Sequence, residues 1–126
     1  MIGERISSGS IWEEKVGYSR AAVVDNWVFV SGTTGFDPVT NEYPADVEAQ
    51  CENCFRNIAA ALAKAGSSLD DLVRVLIIVR NEDDFPRLIP IIRKHCGNAR
   101  PANTTVFASL VAPEMKVEIE ATARKR

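Results

Sequence analysis

Histidine is nearly absent from this chain: His95 is the only one. A single imidazole excludes a histidine-rich metal cluster and leaves little room for His-based nucleophilic or acid–base catalysis. His95 follows Lys94 late in an amphipathic run, where a partly exposed helix C-cap is the expected role. Cysteine is scarce too. Cys51, Cys54 and Cys96 are odd in number and two share one helical run, so a disulfide framework is not expected. Cys51-x-x-Cys54 has the spacing of a redox or zinc pair, but no second pair completes a site. Buried packing is the expected role, with no metal. No apolar run approaches the roughly 18 residues of a membrane span, and Met1 leads into Gly3-Glu4-Arg5 without a signal-like core. A reduced, cytoplasmic setting is expected. There is no excess of basic charge either: 15 Lys and Arg against 17 Asp and Glu give a net charge of -2. Electrostatic capture of nucleic acid or an anionic membrane is not expected, and Arg124–Arg126 reads as a solvated tail.

What the chain does have is the stretch Leu72–Val79, LVRVLIIV. Five of its eight residues are β-branched and no Gly or Pro interrupts it, so it reads as a strand. Strict alternation places Val73, Val75, Ile77 and Val79 on one face and Leu72, Arg74, Leu76 and Ile78 on the other. Both faces are largely apolar. With 126 residues, the chain suits one domain spanning 1–126.

Other elements follow from local pattern. Arg5–Ile11 suggests an edge strand, followed by a polar stretch ending at Gly17. Ala21–Val24 and Trp27–Ser31 are extended pieces joined by Asp25-Asn26, a hairpin signal. Gly32–Pro44 carries turn residues and reads as a loop. Asp46–Ala65 is a helix with Asp46 as N-cap, an apolar stripe from Val47 to Ala65, and Gly66 as its stop. Phe85, Leu88, Ile89, Ile92 and Cys96 mark a second helix, expected to be short or bent at Pro90 and ended by Gly97. Thr104–Leu110 and Lys116–Ala123 are the last strands. In the final one Val117, Ile119 and Ala121 oppose Glu118, Glu120 and Thr122.

A two-layer α+β domain results, with two helices on one face of a four- to six-stranded sheet. The other face would expose a broad apolar surface, which implies an obligate oligomer with sheets facing one another. On that face lie Glu118 and Glu120. A carboxylate among apolar walls at an interface has a raised pKa and can exchange a proton with water or substrate; the pattern does not choose between them. Arg100-Pro101-Ala102-Asn103-Thr104-Thr105 enters a strand with dense hydrogen-bonding groups, suited to lining a polar pocket. Gly32-x-x-Gly35 lacks the third glycine and the helix of a phosphate loop.

Val16-Gly17-Tyr18-Ser19, Val28-Phe29-Val30-Ser31-Gly32, Pro44–Gln50, Asn57-Ile58, Ala65-Gly66, Asp84-Phe85, Arg100-Pro101-Ala102 and Val117–Ala121 occur in an order that resembles the Rid superfamily. These are the YjgF or RidA-like proteins, once named L-PSP endoribonucleases, and the likeness runs from about Val16 to Arg124. It implies a chorismate-mutase-like fold assembled as a homotrimer around a central β-barrel. It also implies small-molecule clefts between subunits, lined by Gly32–Thr34, Arg100–Thr105 and the strand near Glu120. Archetypal members hydrolyse imines and enamines such as 2-aminoacrylate to 2-keto acids and ammonia, without metal or cofactor. By position the water-positioning glutamate falls on Glu120 and the closing tyrosine on Tyr18. Ser31, Gly32, Thr33, Asn103 and Thr105 fall among the binding residues.

The chain departs from the family where an arginine clamps the substrate carboxylate. Family members of that type read Pro-Ala-Arg; this chain reads Pro101-Ala102-Asn103. Asparagine cannot form the two-pronged charged contact of a guanidinium, with charge-assisted bonds worth roughly 1.5–3 kcal/mol each. Arg100 is the nearby candidate to replace it. Ile89 and Ile92 stand where the family often has Asn and Tyr, giving a more apolar surface. The expected function is therefore binding of a small metabolite, less anionic than 2-iminopropionate or held by Asn103, Thr105 and backbone N–H groups, with hydrolysis by water placed by Glu120 left open. Ordinary 2-imino-acid deamination and non-catalytic ligand binding are the alternatives. An endoribonuclease is disfavoured, since no basic stripe or stacking aromatics are present.

Overall fold

The computed structural model describes residues 1–126. It contains strands β1 (Glu4–Ile6), β2 (Ala21–Val24), β3 (Trp27–Thr34), β4 (Leu72–Val79), β5 (Ala102–Phe107) and β6 (Val117–Arg124), with helices α1 (Ile11–Val16), α2 (Val47–Lys64) and α3 (Phe85–Cys96). The six strands form one sheet in the order β1-β2-β3-β6-β4-β5. All neighbours are antiparallel except β4 and β5, which run parallel and are joined through α3. This is the α+β arrangement of helices on one face of a mixed sheet. No helix is long and apolar enough to cross a membrane.

The covered face holds the core. Val28, Val30, Val75, Ile77, Val117 and Ile119 are buried beneath Cys54, Phe55, Ile58 and Leu62 of α2 and Leu88 of α3. Asp46 caps α2 by accepting from the Ala49 N–H at 3.0 Å, and Gly66 leaves it with φ +77°. The Asp25-Asn26 turn closes the β2–β3 hairpin, with Val24 opposite Trp27. α3 is continuous for twelve residues through Pro90. Pro86 and Pro90 are both exposed, so the Pro86 carbonyl that finds no N–H at Pro90 is on the side water reaches. Neither shortening nor a break is needed there.

Several expectations are corrected. The polar stretch before Gly17 is the helix α1, capped by Ser10 and ended by Gly17 at φ +90°. Its inward residue is Glu13, while Ile11, Trp12 and Val16 are exposed, so its polarity pattern is the reverse of a core helix. The first strand ends at Ile6 rather than Ile11. Gly32–Thr34 belongs to β3, not to a loop: its pairing with β6 shifts register between Val30 and Thr33 and then resumes. A second irregularity between Leu72 and Arg74 turns Leu72 to the covered side and leaves Val73 41% exposed, reversing the faces that strict alternation assigns to those two residues. β5 stops at Phe107, short of Leu110, and β6 starts at Val117 and runs to Arg124. His95 is no simple C-cap: it stacks on Phe55 at 4.6 Å, and its Nε2 lies 2.5 Å from Glu52 Oε1, joining α3 to α2.

Neither α2 nor α3 lies over the second face of the sheet, and α1 only borders it. Phe29 is 47% exposed there, and Trp27 and Val106 are also exposed, beside half-buried Leu76 and Ile78.

Candidate functional site

Two concave regions carry the chemistry-bearing residues, on opposite faces of the sheet. The first is a hollow of about 620 Å³ on the open face, lined by Tyr18, Ser19, Phe29, Ser31 and Glu120, with Glu13 and Glu14 of α1 at its side. Its wall is set by α1. The Tyr18 N–H donates to the Glu13 carbonyl at 3.0 Å, continuing the turn that Gly17 begins. The buried Glu13 carboxylate in turn accepts from the N–H and hydroxyl of Ser8, fixing α1 against the chain before it. The Ser31 hydroxyl donates to the Ser19 carbonyl at 2.6 Å and the Ser31 N–H to the Arg20 carbonyl at 2.9 Å. Ser31 therefore pins the Tyr18 segment onto β3, and only its oxygen lone pairs remain for a ligand.

Glu118 and Glu120 are separated here by their surroundings. Glu120 is exposed and lines the hollow, opposite Leu76 in the sheet. Glu118 is half-buried and packs over Gly32, where an added Cβ would meet its Oε2 at 2.6 Å. Burial pushes the Glu118 carboxyl above the ordinary carboxylate range; Arg20 opposes that rise and Glu120 adds to it. Arg20, unremarked in the sequence pattern, donates to the Gly32 carbonyl at 2.6 Å, lies 5.9 Å from the Tyr18 ring centre, and keeps a buried Nε–H without a partner. Strand alternation from Ala21 hides it, because Arg20 precedes the strand. Thr33 is buried, and its hydroxyl donates to the Ser31 carbonyl at 2.8 Å. Thr33 and Gly32 thus shape β3 from outside the hollow.

The second region is a groove of about 390 Å³ between α3 and β5, lined by Phe85, Ile89, Ile92, Arg93, Arg100, Asn103 and Thr105. Parallel pairing sets Asn103 beside Val75 and Thr105 beside Ile77, on the helix side of the sheet. The Thr105 hydroxyl donates to Asn103 Oδ1 at 2.8 Å, which orients the asparagine and leaves its amide N–H groups for a ligand. Arg100 lies before β5 with a left-handed backbone, φ +53°, its N–H bonded to the Cys96 carbonyl at 2.7 Å. The odd spacing that would put Arg100 and Asn103 on opposite sides of a strand therefore does not apply, and both line the groove. Arg93 is a binding candidate that strand-based reading misses. Its signal is helical: it follows Ile89 by four residues and so shares its face.

No three His, Cys, Asp or Glu side chains converge as a metal site would require. The three cysteines are free and buried; burial pushes Cys51 up to about 12 and Cys96 up to about 11.

Comparison with known proteins agrees with this architecture. Residues 12–125 match the family model described as Endoribonuclease L-PSP. A RutC family protein of Pyrococcus abyssi is 34% identical over 109 residues, covering 86% of each chain. A 2-iminobutanoate/2-iminopropanoate deaminase of Dermatophagoides farinae is 31% identical over 122 residues, covering 95% of each. A crystal structure of a YjgF/YER057c/UK114 family member from Mycobacterium tuberculosis superposes with a TM-score of 0.87 at 37% identity, covering 96% of this chain and 98% of that one. Sequence and fold together place this chain in the Rid/YjgF superfamily, formerly the L-PSP family.

Proposed function

We propose that this chain is a RidA-like protein that takes a small metabolite in clefts between the protomers of a homotrimer and hydrolyses an imine or enamine there without a cofactor. The observation that carries this is the division of the site. Tyr18, Ser31 and Glu120 share a hollow on the open face, whereas Arg100, Asn103 and Thr105 share a groove at the β5 edge on the opposite face. A ligand that touches both sets must sit between copies, with the open faces of the sheets turned inward and one protomer's β5 edge beside the next one's hollow. Burying the exposed Phe29 and Val106 is the driving force for that arrangement. The assembly places Glu120 against a ligand held by Asn103 and Thr105.

The chemistry is then short. Glu120 takes a proton from water as the water oxygen attacks the imine carbon of the protonated substrate. The tetrahedral carbon carries hydroxyl and amine. Glu120 returns the proton to nitrogen; as the C–N bond breaks, the hydroxyl gives its proton to the freed Glu120 carboxylate, which passes it to the departing ammonia, so ammonium leaves with a 2-keto product. The similarity to the deaminase of Dermatophagoides farinae supports this reaction class. Asn103 in place of an arginine favours a second reading, binding without turnover, because a neutral amide holds a carboxylate less firmly.

The test is hydrolysis of freshly generated 2-imino acids, from 2-iminopropionate to longer-chain homologues. It compares wild type, Glu120→Gln and Asn103→Arg with a blank. Glu120→Gln is expected to lose turnover by about 100-fold or more while keeping its affinity for the 2-keto product. Unchanged turnover in that variant removes Glu120 from its role. Absence of turnover throughout the panel, with the proteins folded, leaves the binding reading.

A further inference from the structure

The groove between α3 and β5 presents two guanidinium groups and no carboxylate. Most other basic side chains of the molecule are engaged. Arg87 pairs with Asp46 and Glu48, Lys94 with Glu52, Arg126 with Asp71, and Arg80 holds three backbone carbonyls. Arg93 and Arg100 form no ion pair and donate no side-chain hydrogen bond, and both are exposed along the same groove. A position in the last turn of α3 accounts for a cation at Arg93. It does not account for Arg100, which lies beyond the helix in a left-handed conformation that a non-glycine residue adopts at some cost. Two free, planar cations beside the amide of Asn103 form a receptor for a single carboxylate.

The rest of the groove is apolar. Ile89 and Ile92 stand one turn apart on α3, and Phe85 is held by an edge-on contact with Phe107 at 6.1 Å. Ile89 is 50% exposed, so this wall has no partner within the protomer. The volume of about 390 Å³ falls within the range of small-molecule pockets, roughly 300–1,000 Å³.

From these features, and resting on the function proposed above, we infer that Arg93 and Arg100 are the carboxylate-binding residues of this protein. We further infer that Phe85, Ile89 and Ile92 select a ligand with a branched or aromatic side chain. The anion-binding role moves from the β5 position held by Asn103 to the end of α3 and the turn after it. The side chain of the ligand then lies along the isoleucine wall. Specificity for a bulky acid and tolerance of Asn103 are two consequences of one arrangement.

The experiment is calorimetric titration of the full chain with stable 2-keto acids, which need no turnover. The probes are pyruvate, 4-methyl-2-oxopentanoate and the uncharged 4-methylpentan-2-one. The branched acid is expected to bind about 60-fold tighter than pyruvate, since it adds three carbons and each buried methylene contributes roughly a fourfold gain. Replacing both Arg93→Gln and Arg100→Gln is expected to weaken the branched acid by about tenfold or more and leave the neutral ketone unchanged. Ile89→Ser with Ile92→Ser is expected to equalise the two acids. Lys94→Gln, on the neighbouring ion pair, controls for nonspecific charge loss. Equal binding of the two acids by wild type, an unaffected double-arginine variant, or no binding of either acid each overturns the inference. Loss of the hydrolytic reading is registered separately, as this binding pattern persisting in a protein that turns over no imine.

Discussion

Glu118 lies against the one position in β3 where no side chain intervenes. Gly32 makes room for its carboxylate, and Arg20 holds the Gly32 carbonyl from the other side. The half-buried acid has a folded-state pKa above its ordinary value of 4.5. Between those two values the folded chain binds more protons than the unfolded chain, so stability falls as pH rises through that window. Below it both states are protonated and the penalty vanishes; above it the penalty is complete. Glu118→Gln, which keeps the shape and removes the charge, is therefore expected to raise the Tm relative to wild type at pH 7. The gain should shrink to nothing as pH falls below about 4.5. Calorimetric scans of both proteins at the two pH values check this, and a pH-independent difference would assign the effect to packing instead.

Among the elements, α2 is the one on which the site depends without contributing a ligand-facing group. Its Gln50 is fully buried, donating to the carbonyls of Pro44 and Glu114 at 2.7 and 2.9 Å and accepting from the Lys116 N–H at 2.9 Å. These bonds tie the loop after β3 and the start of β6 to the same helix turn, bracing the two strands whose direct pairing sets Ser31 near Glu120. Gly35 lies against the Gln50 backbone, where a side chain would not fit. Gln50→Leu preserves bulk but removes the side-chain partner of three part-buried backbone groups. A loss of about 3 kcal/mol is expected, at roughly 1 kcal/mol or more for each group. A lowered urea midpoint with an unchanged slope is the signature to look for. A variant as stable as wild type would mean that water replaces all three bonds.

For the whole molecule the open sheet face is the controlling feature. Phe29, Val106, Leu76 and Ile78 gather on it with no covering layer, and the hollow with Glu120 opens onto it. If three such faces close on one another, a charge planted at the centre should separate them. Ile78→Asp places a carboxylate directly opposite Glu118 in the β4–β6 ladder. Sedimentation is expected to change from trimer to monomer, with the far-ultraviolet circular dichroism retained. Asn103→Arg, in the groove on the other face, should leave the trimer intact. A monomeric wild type would overturn the assembly, and with it the shared cleft.

Local chemistry in the sequence determined the elements that need only neighbours to form. The Asp46 cap and the apolar stripe of α2, the Asp25-Asn26 hairpin, the β-branched run of β4 and the alternation of Val117, Ile119 and Ala121 were all legible. Each is written in spacings of two to four residues, and the ordered motifs around Tyr18, Ser31 and Glu120 added the family. Tertiary structure decided what depends on residues distant in the chain. The register shifts after Val30 and Leu72 exist only against β6, and they return Gly32–Thr34 to the sheet and turn Leu72 inward. α1 escaped notice because its buried face is a glutamate satisfied by Ser8, a pairing that hydrophobic periodicity does not register. Glu118 and Glu120 carry the same alternation signal, and only burial beside Gly32 distinguishes them. Arg93 and Arg100 sit seven residues apart on different kinds of backbone. They meet in one groove because α3 packs beside β5 and the chain turns sharply between them.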